Sequence, residues 1–141
     1  MKILVPVDGS KSAANAAKYA AKLASALRTK DRVTLVSVHD DHALRHARKF
    51  VGKQQVEDYL REVSDADLKT AHAHLNKAGV THDAMIRQGH VAEEIVRLAN
   101  SGKFDLVIMG SKGRSQLADL LLGSVVQRVM ATAKIPVLVV K

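Results

Sequence analysis

The sequence predicts an α/β fold, a parallel sheet with helices on both of its faces. Three observations predict it. Short apolar runs alternate with longer Ala- or Leu-bearing stretches of helical period from one end of the chain to the other. Most of those runs are rich in Val, Ile and Leu, as strands buried on both faces require. The chain has 141 residues, 47% of them apolar, which suits one domain with a full core and hence a single domain over 1–141.

Residues 2–7, KILVPV, read as a buried strand that stops at Asp8-Gly9-Ser10. Residues 12–27 are Ala-rich. Ala14, Ala17, Ala21, Ala24 and the Ala26-Leu27 pair mark a slim helix that can approach a sheet closely, with Ser10 or Ser12 as its cap. Residues 32–38, RVTLVSV, are β-branched and give a second strand. Residues 39–53 are polar and basic without a clear period and read as a loop with at most partial helix. A long helix follows over 54–77, with Val56, Tyr59, Leu60, Val63, Leu68, Ala71 and Leu75 as its inward stripe and Gly79 as its stop. Residues 82–88, HDAMIRQ, form a weaker alternating strand, broken by Gly89 and His90. A helix over 91–100 carries Ile95, Val96, Leu98 and Ala99 and closes at Ser101-Gly102. Residues 104–109, FDLVIM, are a strongly apolar fourth strand. A loop over 110–123, a helix over 124–132 and a last strand from Val137 to Val140 complete the chain.

Composition removes several function classes. The absence of Cys excludes disulfides, thiol catalysis and Cys-based zinc sites, and suits a reducing compartment. No stretch approaches the roughly 18 apolar residues of a membrane span. The N-terminal run is too short for a signal-peptide core, so a soluble, cytoplasmic chain is expected. The net charge of +8 is spread along the chain, with a denser group at Arg45, Arg48, Lys49 and Lys53. With two Phe, two Tyr and no Trp there is no base-stacking platform, and nucleic acid is not an expected partner. His42 and His46 have helical i,i+4 spacing, whereas His72 and His74 do not. Without H-E-x-x-H or Cys, no transition-metal site is expected, and surface positions are the default for the histidines.

Ligands of open parallel sheets bind beyond the carboxyl ends of the strands, where strand order reverses. Two loops there carry chemistry. Asp8, at the end of a buried strand, can reach ribose hydroxyls or a metal-bound phosphate. Its more ordinary role is a helix cap or an Asx turn with Ser10. The second loop runs Gly110-Ser111-Lys112-Gly113-Arg114 and returns through Gly123-Ser124. Its glycines permit positive φ and bare backbone, and Leu117, Leu120, Leu121 and Leu122 can anchor its return. The helix that opens at Ser124 presents free N–H groups and a positive dipole end to an anion, with Lys112 and Arg114 adding charge. A turn with a Ser cap and no ligand is the plainer alternative. Neither the P-loop pattern nor a Gly-x-Gly-x-x-Gly after the first strand occurs.

On these residues the chain resembles the universal stress protein family over essentially its whole length: MKILVPVDGS, FDLVIMGSKGRSQLADLLLGSV and IPVLVVK. The family's Gly-x2-Gly-x9-Gly-Ser/Thr nucleotide motif stands here as Gly110, Gly113, Gly123 and Ser124, the spacing of the ATP-binding branch. The resemblance implies a Rossmann-like three-layer sandwich with five parallel strands in the order 3-2-1-4-5. It implies ATP or a related adenine nucleotide as ligand, with Pro6 and Val7 lining the pocket and Asp8 facing ribose or a nucleotide-bound Mg²⁺. Val38 would meet adenine through its backbone, Met109 would flank the base and Gly110 the ribose. Gly113, Arg114, Gly123, Ser124 and Val125 would surround the phosphates. It also implies a homodimer through Val137 to Val140, and that uncovered apolar edge invites pairing on physical grounds as well. No residue supplies an evident base for hydrolysis, so the expected role is stress-related or regulatory binding with slow turnover at most. The competing expectation is an interaction module with a purely structural glycine loop, whose basic group at Arg45–Lys53 binds an acidic partner.

Overall fold

The structure, a computed structural model, describes residues 1–27, 32–114 and 121–141. Strand β1 (Lys2–Pro6) leads into helix α1 (Lys11–Leu27), then β2 (Arg32–Asp40), α2 (Asp41–Val51), α3 (Lys53–Lys77) and β3 (His82–Gly89). Helix α4 (Val91–Ser101), β4 (Leu106–Gly110), α5 (Ser124–Thr132) and β5 (Val137–Val140) follow. The five-stranded sheet has the order β3-β2-β1-β4-β5, and every neighbouring pair is parallel. This is the 3-2-1-4-5 order that the resemblance implied. Strand order reverses between β1 and β4, so their carboxyl ends bound the crevice where a ligand belongs.

The period-2 geometry of the strands divides the core into two layers. Ile3, Val5, Leu35 and Ile108 face α1 and α3, whereas Leu4, Val36, Val107 and Met109 face α4 and α5. Helix α1 buries Ala13, Ala16, Ala17, Ala20, Ala21 and Ala24, an i, i+3, i+4 stripe of methyl groups that lets it lie close on β4. Ala26 and Leu27, expected inward, are exposed because that stripe ends a turn earlier. Ser10 caps the helix, its Oγ accepting from Ala13 N at 3.2 Å.

Two expectations need correction. The stretch expected to be mostly loop is largely regular: β2 runs on to Asp40 and α2 occupies most of the remainder. Asp40 caps α2 by accepting from His42 N at 2.9 Å, and Gly52 (φ 86°) turns the chain into α3. Within α3, Tyr59 is 61% exposed, while two polar residues, Ser64 and Asp67, lie in the buried stripe.

Candidate functional site

A cavity of 290 Å³ opens beyond the carboxyl ends of β1 and β4. Its lining includes Pro6, Val7 and Asp8 from the end of β1, Val38 from β2, and Met109 and Gly110 from β4. Gly113 and Arg114 from the following loop, and Gly123, Ser124 and Val125 from the start of α5, complete the set named from sequence. Val36, Val91, Ile95 and Val126 add an apolar wall that the sequence reading did not include. Val91 and Ile95 belong to α4, which starts at the carboxyl end of β3 and so must flank the same crevice.

Backbone geometry shows what Val38 presents to the cavity. Val7 N donates to Val36 O at 2.8 Å, so Val36 turns its peptide groups towards β1. In a parallel strand the residue two further on points the same way, and Val38 therefore directs its N–H and C=O past the point where β1 has ended. The result is a ready donor–acceptor pair at the apolar wall.

Asp8 performs its ordinary role while also facing the cavity. Oδ1 accepts from Ser10 N at 2.9 Å, closing an Asx turn. Oδ2 lies 3.1 Å from where a Cβ on Gly113 would sit. The glycines of the second loop work differently from expectation, because positive φ occurs at Gly9 (79°) and not at Gly110, Gly113 or Gly123. Gly110 is needed for close approach: a Cβ there would lie 2.6 Å from the Ser12 carbonyl carbon and 2.7 Å from Ala13 N. The start of α1 is stitched to the loop, with Ser12 Oγ donating to Lys112 O at 2.5 Å.

Helix α5 is capped by Gly123 (φ −71°) without a side-chain bond, so Ser124 is its first helical residue rather than its cap. Gly123 N donates to Ser111 O at 2.8 Å and closes the loop on itself. The first bond along the helix runs from Gln127 N to Gly123 O, which leaves the amides of Ser124, Val125 and Val126 without intrahelical acceptors at the cavity wall. Of the leucines expected to anchor the return, Leu122 packs on the α4–α5 layer and Leu121 is 83% exposed. Leu117 and Leu120 lie outside the described residues.

Behind the cavity stands a polar cluster that sequence reasoning missed. Arg114 forms an ion pair with Asp67 of α3, whose side chain is only 6% exposed. His39 Nε2 lies 2.6 Å from Ser64 Oγ and 3.1 Å from Ser37 Oγ. Burial raises the Asp67 pKa above the usual carboxylate value; Arg114 and then His39 pull it back, and Asp8 adds to the rise. Burial lowers the His39 pKa, opposed by Asp67 and reinforced by Arg114. The only sequence signal was that Ser64 and Asp67 share the helical phase of Leu60, Leu68 and Ala71.

The remaining histidines divide. His42, His46 and His90 are exposed, whereas His72, His74 and His82 are half-buried, with His72 Nδ1 and His82 Nε2 meeting at 2.8 Å. Among the described residues no group of three or more His, Asp or Glu is arranged to hold a metal, and no helix is long and apolar enough to cross a membrane. The basic segment is partly neutralised: Arg45 pairs with Asp41 at 2.7 Å, Lys53 with Glu57 at 3.9 Å, and Arg48 bonds Gln88.

Known proteins share this architecture. The chain is 34% identical to universal stress protein MJ0531 of Methanocaldococcus jannaschii over 99% of its own length and 81% of that protein. Universal stress protein MJ0577 of the same organism is 32% identical, and its solved structure superposes with a TM-score of 0.82 over 99% of this chain and 94% of that one. A universal stress protein crystallised in complex with cAMP is 25% identical, with a TM-score of 0.69 over 100% of this chain and 96% of that one. The profile of the Universal stress protein family matches residues 1–141. With the strand order, the matching relatives and the full-length family match in agreement, the chain belongs to the universal stress protein family.

Proposed function

We propose that this chain binds an adenine nucleotide, ATP or a close relative, in the cavity between β1 and β4, as a stress-related or regulatory binder with slow turnover at most. The observation that carries the reading is the set of amides at Ser124, Val125 and Val126, which open onto the same cavity as Asp8 and the apolar wall. Such a helix start attracts phosphate through its N–H groups and its dipole. The wall of Val36, Val38, Val91 and Ile95 suits the base, and the outward-turned peptide of Val38 can read its edge. The volume is close to the lower end of the roughly 300–1,000 Å³ range of small-molecule sites. A relative crystallised with cAMP supports the ligand class.

Among the described lining residues, magnesium entering with the nucleotide would find one carboxylate, Asp8. That is sufficient, because Mg²⁺ keeps several waters and shares phosphate oxygens. Lys112 and Arg114 can offset phosphate charge. Among the described lining residues none is placed as a base for an attacking water, so the reading favours binding over turnover. The whole of 1–141 is read as one domain built around this cavity. Strand β5, at the sheet edge, is its pairing edge for a second copy. Sedimentation is expected to show a species of twice the chain mass, and a monomer at high concentration would contradict that pairing.

Titration calorimetry with Mg-ATP tests the ligand. Saturable one-site binding is expected, weakened at least about ten-fold, or roughly 1.4 kcal/mol, in Gly113→Val, whose side chain would press on Asp8. No heat at millimolar nucleotide would remove the reading. The interaction-module alternative loses ground because two of its four cations already face carboxylates.

A further inference from the structure

On the reading that the cavity takes a nucleotide's phosphates, we propose that Asp67 is a latch that withholds Arg114 from the ligand until a polyphosphate competes for it. Arg114 lines the cavity and its side chain is 59% exposed, yet its guanidinium is drawn back onto Asp67, a residue of α3 outside the cavity lining. The two groups meet over the α-carbon of Gly9. A Cβ there would collide with Arg114 Nη2 and Asp67 Oδ1 and would sit 3.0 Å from Arg114 Cζ. Gly9 also has φ 79°, so the turn after β1 is doubly dependent on glycine, and one of the two reasons is this ion pair.

The pair sets up a contest between two acceptors for one cation. Asp67 offers a single negative charge, held in place by burial in the α3 stripe. Adenosine offers none, and a phosphate ester carries between one and two negative charges. A triphosphate carries more and can spread it across the α5 amides and the guanidinium together, where bidentate geometry favours Arg. Releasing Arg114 leaves a buried carboxylate, which is costly unless neutralised. The ionisable groups facing Asp67 are Arg114 from the loop after β4, His39 from β2 and Asp8 from the turn after β1. The latch therefore makes phosphate number, rather than the base, the quantity that decides affinity.

The test is a double-mutant cycle read on three ligands. Binding of adenosine, AMP and ATP is measured at one pH and ionic strength for wild type, Asp67→Asn, Arg114→Met and the double variant, each checked by thermal melting. Asp67→Asn keeps the shape and removes the competing charge. It is expected to tighten ATP by about five-fold or more, AMP by less and adenosine not at all, and the gain should vanish in the Arg114→Met background. Asp67→Ser, which withdraws the carboxylate altogether, should give the same ordering and serves if the amide variant folds poorly. A loss of ATP affinity, an equal change for all three ligands, or an equal gain without Arg114 would each overturn the latch. Failure of wild type to bind any of the three would instead overturn the nucleotide reading, and the latch with it.

Discussion

Gly110 and Gly113 belong to one motif, yet the structure gives them different duties. A side chain at Gly110 would run into the backbone of Ser12 and Ala13, which cannot move without lifting α1 from β4. Among the described residues, a side chain at Gly113 would meet only a carboxylate oxygen of Asp8, at 3.1 Å. Overpacking a rigid contact costs about 1–3 kcal/mol. Gly110→Val is therefore expected to lower the thermal midpoint by about 3–10 °C, while Gly113→Val melts near wild type and loses ligand. Equal melting of the two would show that the distinction drawn from their surroundings is wrong. The spacing of these glycines was plain in the sequence. What each one touches was not, because Ser12 is almost a hundred residues away and only the fold brings it to β4.

At the level of elements, legibility tracked how apolar and how sharply patterned each sequence is. Strands β1, β4 and β5 are short apolar runs and could be read nearly to the residue. Helix α1 was legible as a helix, but its face was misphased at the end because so many of its residues are Ala and the pattern has little contrast. Helix α2 was missed as a regular element: apart from Leu44, Ala47, Phe50 and Val51 its sequence is mostly polar and charged, and Phe50 is exposed. Helix α3 was found, but Asp67 was passed over, since a charged residue on an apolar stripe is ordinarily solvated. The exception arises because Arg114, 47 residues further along the sequence, arrives to meet it.

For the whole molecule, alternation of strands and helices was enough to call for a parallel sheet, and the crossing order followed from the family resemblance. That order puts Asp8 and the Gly110 loop on adjacent strands at the point where the sheet reverses direction. The same order leaves β2 two strands from β4 but running past the end of β1, which turns Val38 towards the crevice. The cavity is thus a product of topology: an apolar wall from β2 and α4, an acid from the turn after β1, and the first-turn amides of α5. Backbone amide chemical shifts followed while ATP is added test that arrangement most directly. The amides of Gly113, Ser124, Val125 and Val126 are expected to move together and saturably. If they stay still while the amides of Arg45 and Lys49 on α2 shift instead, phosphate does not bind at the start of α5.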